Sequence, residues 1–287
     1  MTLKEKIKNN DYLYFMLRNK KVLFGFFVFL FFLLLGLVGP HLSKYGPLEY
    51  AGPGYMPPGK EYWLGTDIFG HDVYTQLVYG LRSSYFVGFF GGTLATIIGL
   101  FVGFLSGYKG KWVDELLMML TNVMLVIPTL AILIIISSYL SFRGMVFESI
   151  IIGITNWPWT ARAIRSLTMS IKNKEFVNLS RISSLPTGKI IIEDIASNMF
   201  SYIFMVFILQ FAGAVLSAVT LDFIGLGPTK GISLGLMMQI ARDWNAVQLG
   251  MWWWAIIPGL VITLLVSSLY FINTGLDEVF NPKLREM

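Results

Sequence analysis

Six apolar runs decide most of what this chain can fold into. They cover residues 22–38, 84–107, 116–140, 149–161, 199–221 and 251–274. A helix needs about 20 apolar residues to cross a hydrocarbon layer of roughly 30 Å. Five of the runs approach or exceed that length; the fourth is shorter and carries Pro158. Composition points the same way. Hydrophobic residues make up 55% of the 287 positions and charged residues 14%, where an average soluble domain carries about 25% charged. One water-facing core could not enclose that much apolar surface. The surplus faces lipid, and the expected fold class is an all-α integral membrane protein with six transmembrane helices. The first run is longer than the roughly 7–15-residue core of a signal peptide, and no small-residue cleavage site follows Gly39-Pro40, so it is expected to stay as a span.

Orientation follows from the basic residues. With the N-terminus cytoplasmic, six crossings return the C-terminus to the same side. The inner side then receives Lys4, Lys6, Lys8, Arg18, Lys20, Lys21, Lys109, Lys111, Arg162, Arg165, Lys172, Lys174, Arg181, Lys189, Lys283 and Arg285. The outer side keeps Lys44, Lys60, Arg82, Arg143, Lys230 and Arg242. The expected topology is therefore N-in, C-in. Three connections exceed ordinary loop length and are candidates for function: 39–83 and 222–250 outside, and 162–198 inside.

The five clear runs hold no Asp, Glu, Lys, Arg or His between their ends. Ionisable groups at membrane depth mark proton relays, ion pathways and voltage sensors, so their absence argues against a proton-coupled carrier, pump or cation channel. Gln210 is the main polar side chain at depth; a packed amide and a pathway-lining amide both fit it. No phosphate-cradling G-x-x-x-x-G-K-[ST] loop, G-x-S-x-G elbow, H-E-x-x-H pair or paired-carboxylate cluster appears. Asp114-Glu115 and Asp277-Glu278 read as solvated span ends. With no cysteine and only His41 and His71, no metal site is expected. The chain is not expected to be an enzyme, and any ATP-derived energy must come from a partner.

The inner connection is the most specific stretch. Apolar residues at 176, 179 and 182, with Val177 beside them, suit a short helix lying along the membrane. Leu185-Pro186 must end it, because the residue before proline avoids the helical region. A second helix can start at Pro186-Thr187 and run through Ile190 and Ile191 to Asn198. Two short helices at a tight turn would make a knob on the cytoplasmic face; a loop that merely connects two spans is the alternative.

This arrangement resembles the coupling loop of permease subunits in ATP-binding-cassette importers, and more narrowly the second permease of the dipeptide/oligopeptide/nickel group. That group's pattern reads roughly E-Y-V-x-A-A-R-x-x-G-x-x-x-x-x-I-I-x-x-H-x-L-P-N. Glu175, Phe176 (for Tyr), Val177, Arg181, Ile190, Ile191 and Asn198 match it. Leu179-Ser180, Ser184 (for Gly), Asp194, Ala196 and Ser197 depart from it. The Ser184 change matters most, since glycine permits the turn; Pro186 and Gly188 are expected to supply the bend slightly later. Further matches run along the chain in order. Leu64, Gly65, Thr66, Asp67, Gly70 and Asp72 resemble L-G-T-D-x-x-G-R-D, with His71 replacing Arg; Gly80, Arg82 and Ser84 continue it. Trp157, Arg162 and Arg165 fit the cytoplasmic end of span four. Phe223, Gly225 and Gly227 resemble the F-L-G-L-G outer loop, Pro258-Gly259 recurs in span six, and 281–285 resembles the D-P-R-L-R tail.

The resemblance implies a type I permease fold. Its parts would be a cytoplasmic segment (1–21), a first helix with its outer loop (22–83), a core permease domain (84–274) with its coupling loop (166–198), and a cytoplasmic tail (275–287). It implies a multi-pass subunit of a prokaryotic plasma membrane that forms half a pathway for di- or oligopeptides. Oligosaccharides and, after them, nickel are the alternative cargoes; a stand-alone channel or scaffold is the alternative outside this class. Implied partners are a second homologous permease, two ATPase subunits, an extracellular solute-binding protein and the lipid membrane, with no nucleic acid. The chain itself would bind no cofactor, ATP and Mg lying on partner subunits. Phe176, Val177, Leu179 and Ile182 would be the anchors buried in the ATPase cleft, with Glu175, Lys174 and Arg181 at the rim. For Arg162 and Arg165, lipid-headgroup anchoring competes with a coupling role. Glycines at 88, 91, 92, 99, 103 and 107 are expected to let span two pack closely, against the partner or within its own bundle. The Trp252-Trp253-Trp254 run reads as an interfacial belt, with contact to the binding protein as the alternative.

Overall fold

The computed structural model describes residues 15–140 and 143–280. The basic residues at 4, 6 and 8 and the tail motif at 281–285 lie outside them. Nine helices of eight residues or more follow one another here: α1 (Lys20–Leu42), α2 (Val73–Lys109), α3 (Lys111–Val126), α4 (Thr129–Ser138), α5 (Met145–Ile171), α6 (Glu175–Ile182), α7 (Phe200–Leu221), α8 (Leu234–Asp243) and α9 (Trp252–Phe280). A short turn at Thr187–Lys189 leads into a π-helix, Ile190–Ala196, and a second π-helix, Asp222–Leu226, extends α7. The described residues contain no named strand, only an isolated bridge between Thr66 and Asp72.

Four helical stretches are long and apolar enough to span a membrane: α1, α2, α7 with its π extension, and α9. The run expected to be one straight third span is instead the pair α3 and α4, bent by 77°. Proline explains the bend. It pushes Ile127 into extended backbone (ψ 123°) and leaves Pro128 extended as well (ψ 119°). The pair passes as a fifth span. The expected fourth span lies inside α5, which runs to 27 residues through Pro158 but carries Glu148, Asn156, Arg162 and Arg165 and is less apolar than the others. Span two also begins earlier than expected. Asp72 caps α2, its Oδ2 accepting from the Thr75 amide at 2.9 Å, so Arg82 and Ser83 belong to the helix rather than to the loop.

The ends of α1 show why it starts and stops. The Asn19 carboxamide oxygen accepts from the Lys21 and Val22 amides, and its Nδ2 donates to Glu278 at 2.8 Å, tying the start of α1 to the end of α9. Lys21 pairs with the same carboxylate. Glu278 is thus engaged, not simply solvated.

Helix α2 is the central rod, with α1, α5 and α7 laid against it; α9 lies against α1 and α7. Lipid tails are as apolar as side chains, so association inside a membrane depends on close packing rather than on hydrophobic exclusion. The glycines supply it. A Cβ on Gly99 would lie 2.5 Å from Thr160, one on Gly103 2.7 Å from the Ala161 carbonyl and Ile164, and one on Gly107 2.8 Å from Thr168. This face packs against α5 of the same chain. Gly88 and Gly92 likewise approach Phe211 of α7. The largest apolar cluster joins α1, α2, α7, α8 and α9 through residues such as Leu81, Phe211, Leu234, Met237, Trp254 and Leu265. A separate cluster of Phe104, Ile164, Val177, Ile190, Ile195 and Met199 lies under α6.

Candidate functional site

The knob forms where the sequence places it. Helix α6 spans Glu175–Ile182, and its apolar residues divide into two sets. Val177 is fully buried against Ile190, Ile195 and Ile164. It therefore belongs to the chain's own core and cannot enter a partner's cleft, contrary to the expectation. Phe176, Leu179 and Ile182 face outward; Leu179 is 64% and Ile182 81% exposed. Ile192 of the π-helix adds a fourth exposed apolar side chain, 68% exposed, that the sequence reading did not single out.

The turn is made differently from the expectation. Ser184 itself adopts the left-handed conformation (φ 55°) where the family pattern carries glycine. Its amide bonds the Arg181 carbonyl at 3.0 Å, and the Leu185 amide bonds the Ser180 carbonyl at 3.2 Å. Ser184 therefore keeps the geometry at a steric cost of about 1–2 kcal/mol. Pro186 then opens the following turn in extended backbone (ψ 144°), and Gly188 has no atom near where a Cβ would stand.

Polar contacts fix the knob's base to the bundle. Arg165 reaches Asp114 through two bonds, Nε to Oδ1 at 2.5 Å and Nη2 to Oδ2 at 2.6 Å, and Ser106 Oγ donates to the same carboxylate at 3.1 Å. Asp114 is thus a bridge between α2, α3 and α5 rather than a solvated end, and Arg165 is a cross-link rather than a headgroup anchor. Lys172 Nζ donates to the Gly107 carbonyl at 2.8 Å, and Arg162 Nη2 to Asn122 Oδ1 at 2.7 Å. Arg181 does not stand at a free rim: its guanidinium lies 5.1 Å from the Tyr108 ring centre and Nε donates to the Tyr108 hydroxyl at 3.3 Å. Glu175 opens α6 as its first residue, a favourable place for a carboxylate beside the helix's positive end.

The other end of α2 carries the remaining motif residues. Asp67 Oδ1 accepts from the Phe69 and His71 amides, and Oδ2 contacts His71 Nδ1 at 2.8 Å and Gln76 Nε2 at 2.9 Å. Thr66 Oγ1 donates to the Pro53 carbonyl at 2.7 Å. Gly65 and Gly70 are left-handed, and a Cβ on Gly70 would stand 2.0 Å from the Gly52 carbonyl. These residues build a rigid lid on the bundle. Trp253 and Trp254 are buried beneath it, Trp253 Nε1 donating to the Thr66 carbonyl at 3.2 Å; Trp252 alone is half-exposed, so the triple run is not a continuous belt. Gln210 is buried, its Nε2 donating to Thr160 Oγ1 at 2.6 Å and to the Asn156 carbonyl at 3.0 Å, which joins α7 to α5. Phe223 lies under Arg242, Gly225 is left-handed, and the Gly227 carbonyl accepts from Arg143 Nε.

A carboxylate pair escaped the sequence reading. Glu148, at the start of α5, and Asp222, at the end of α7, are both buried and lie beside each other. Ser233 Oγ donates to Asp222 Oδ2 while accepting from the Leu236 amide. Among the described residues no hydrogen-bond donor reaches Glu148 Oε1 or Asp222 Oδ1. Each acid lies one position outside the run in which it was sought, which is why neither counted as lying at depth.

Comparison with known proteins identifies the family. The family described as "binding-protein-dependent transport system inner membrane component" is matched over residues 96–286. The dipeptide transport system permease protein DppC of Alkalihalophilus pseudofirmus is 32% identical over 93% of this chain and 88% of its own length. That of Bacillus subtilis is 30% identical over 93% and 83%, and the di/tripeptide transport system permease protein DppC of Pseudomonas aeruginosa 29% identical over 93% and 89%. The chain belongs to the family of binding-protein-dependent transport system inner membrane components, as a permease of the dipeptide/oligopeptide group of ATP-binding-cassette importers.

Proposed function

We propose that this multi-pass plasma-membrane protein forms half the wall of a peptide pathway and receives the movement of ATPase subunits through its α6 knob. One observation carries the reading. Phe176, Leu179, Ile182 and Ile192 project apolar surface beyond the bundle, while Val177, Ile190 and Ile195 seat the same element rigidly on α2 and α5. Exposed apolar anchors on a braced support suit a partner's cleft, because packing transmits displacement only when neither side yields. The knob lies at the cytoplasmic end in the N-in, C-in arrangement that the Lys and Arg distribution favours. A second, homologous permease completes the pathway, two ATPases carrying ATP and Mg bind below, and an extracellular solute-binding protein delivers the cargo above. Di- and oligopeptides are the cargo, by likeness to relatives named for dipeptide and di/tripeptide transport.

Gentle affinity purification of the chain from its native membrane, with mass spectrometry of its companions, tests the assembly. Two ATPases and a second permease are expected. Recovery of the folded chain alone across several detergents contradicts it.

A further inference from the structure

Arg82 stands apart from the chain's other motif residues. It lies within α2, ten residues past the Asp72 cap, and packs at the level of Gly36 of α1, where a Cβ would come within 3.3 Å of the Arg82 amide. It is exposed. No hydrogen bond or ion pair links its guanidinium to any described residue, unlike Arg143, Arg162, Arg165, Arg181 and Arg242. Beside it, Leu33, Gly36 and Leu37 of α1 and Tyr85 and Phe86 of α2 line a groove of about 210 Å3. The Tyr85 hydroxyl is already spent on the Phe29 carbonyl at 2.7 Å, so Arg82 is the groove's single polar group.

An unpaired guanidinium on a membrane helix needs an anion or water. Two features say which anion fits. Side chains on a helix lean toward its N-terminus, so Arg82 leans toward the end bearing the 43–72 loop, and its long stem lets the guanidinium snorkel toward the membrane boundary. Gly36 lies six residues from the end of α1, about 9 Å at 1.5 Å per residue, a distance an arginine side chain covers in large part. In the opposite direction the apolar surface continues one turn further along α2 as Phe86 packed against Phe90, ring centres 4.5 Å apart and planes tilted by 42°, with Phe89 and Phe90 half-exposed. A cation near the boundary with an apolar channel running inward matches a molecule that has a phosphate at one end and a hydrocarbon chain at the other. We infer that the α1–α2 groove binds a phospholipid, its phosphodiester on Arg82 and an acyl chain along Leu33, Gly36, Leu37 and Phe86.

Native mass spectrometry of the full-length chain, delipidated in detergent and titrated with phosphatidylglycerol, tests this. The wild-type chain retains the lipid, and Arg82→Gln lowers the retained fraction by about tenfold, the loss of one charge-assisted bond. Leu37→Trp keeps the guanidinium but fills the groove from α1, and lowers retention in the same direction, which keeps the test open should Arg82→Gln fold poorly. Inorganic phosphate at matching concentration does not displace the lipid if the chain contact contributes. Equal retention by wild type and both variants overturns the inference. So does displacement by phosphate alone.

Discussion

The seam between α2 and α5 and the knob beneath it are built from opposite choices. The seam removes side chains: Gly99, Gly103 and Gly107 let two helices meet at backbone distance, leaving no space for even one methyl group. The knob keeps large side chains and leaves them outside, with Leu179, Ile182 and Ile192 unburied by any described residue. The seam is complete in this chain, whereas the knob is half of a contact in the function proposed above. Rigidity in one and unfilled surface in the other is the division of labour that the proposed coupling role requires.

That contrast can be broken most severely at Val177, the residue that belongs to the knob by sequence and to the bundle by packing. Val177→Asp buries an unpaired charge, a destabilisation of about 3–5 kcal/mol, and thermal unfolding in detergent is expected to show the knob's protease sites opening at lower temperature. Gly103→Val attacks the seam. Its side chain meets the Ala161 carbonyl and Ile164 at once, at about 3 kcal/mol, read as loss of monodisperse protein on size exclusion. The brace between the two regions is worth less. A double-mutant cycle on Arg165→Gln and Asp114→Asn is expected to give a coupling energy of about 2 kcal/mol, because the pair is bidentate but only partly buried. The smallest effect is expected at the knob's outer face: Ile182→Ala shifts stability by no more than about 0.5 kcal/mol, while ATPase subunits co-purify less. Loss of stability without loss of partners there contradicts the division.

Much of this was legible in the residues. The apolar runs locate α1, α2, α7 and α9, the i, i+3 pattern at 176, 179 and 182 locates α6, and Leu185-Pro186 marks its end. Tertiary placement was not legible. Val177 and Phe176 are neighbours of similar character, and only the packing of Ile190 and Ile195 decides which one turns inward. Ser184 as a left-handed residue runs against its own preference, and the surrounding turn bonds override it. The 77° bend at Pro128 was readable in principle, since proline inside an apolar run signals a break. Glu148 and Asp222 lie far apart in sequence, and only the crossing of α5 with α7 brings them together.

Uptake of a labelled dipeptide, measured with the complete importer carrying Phe176→Asp and Leu179→Asp together, tests the central claim most directly. Both side chains are exposed, so the chain is expected to insert and fold at wild-type levels while uptake falls to background. Uptake at the wild-type rate, with the variant present in the membrane, would mean that the knob does not carry the coupling.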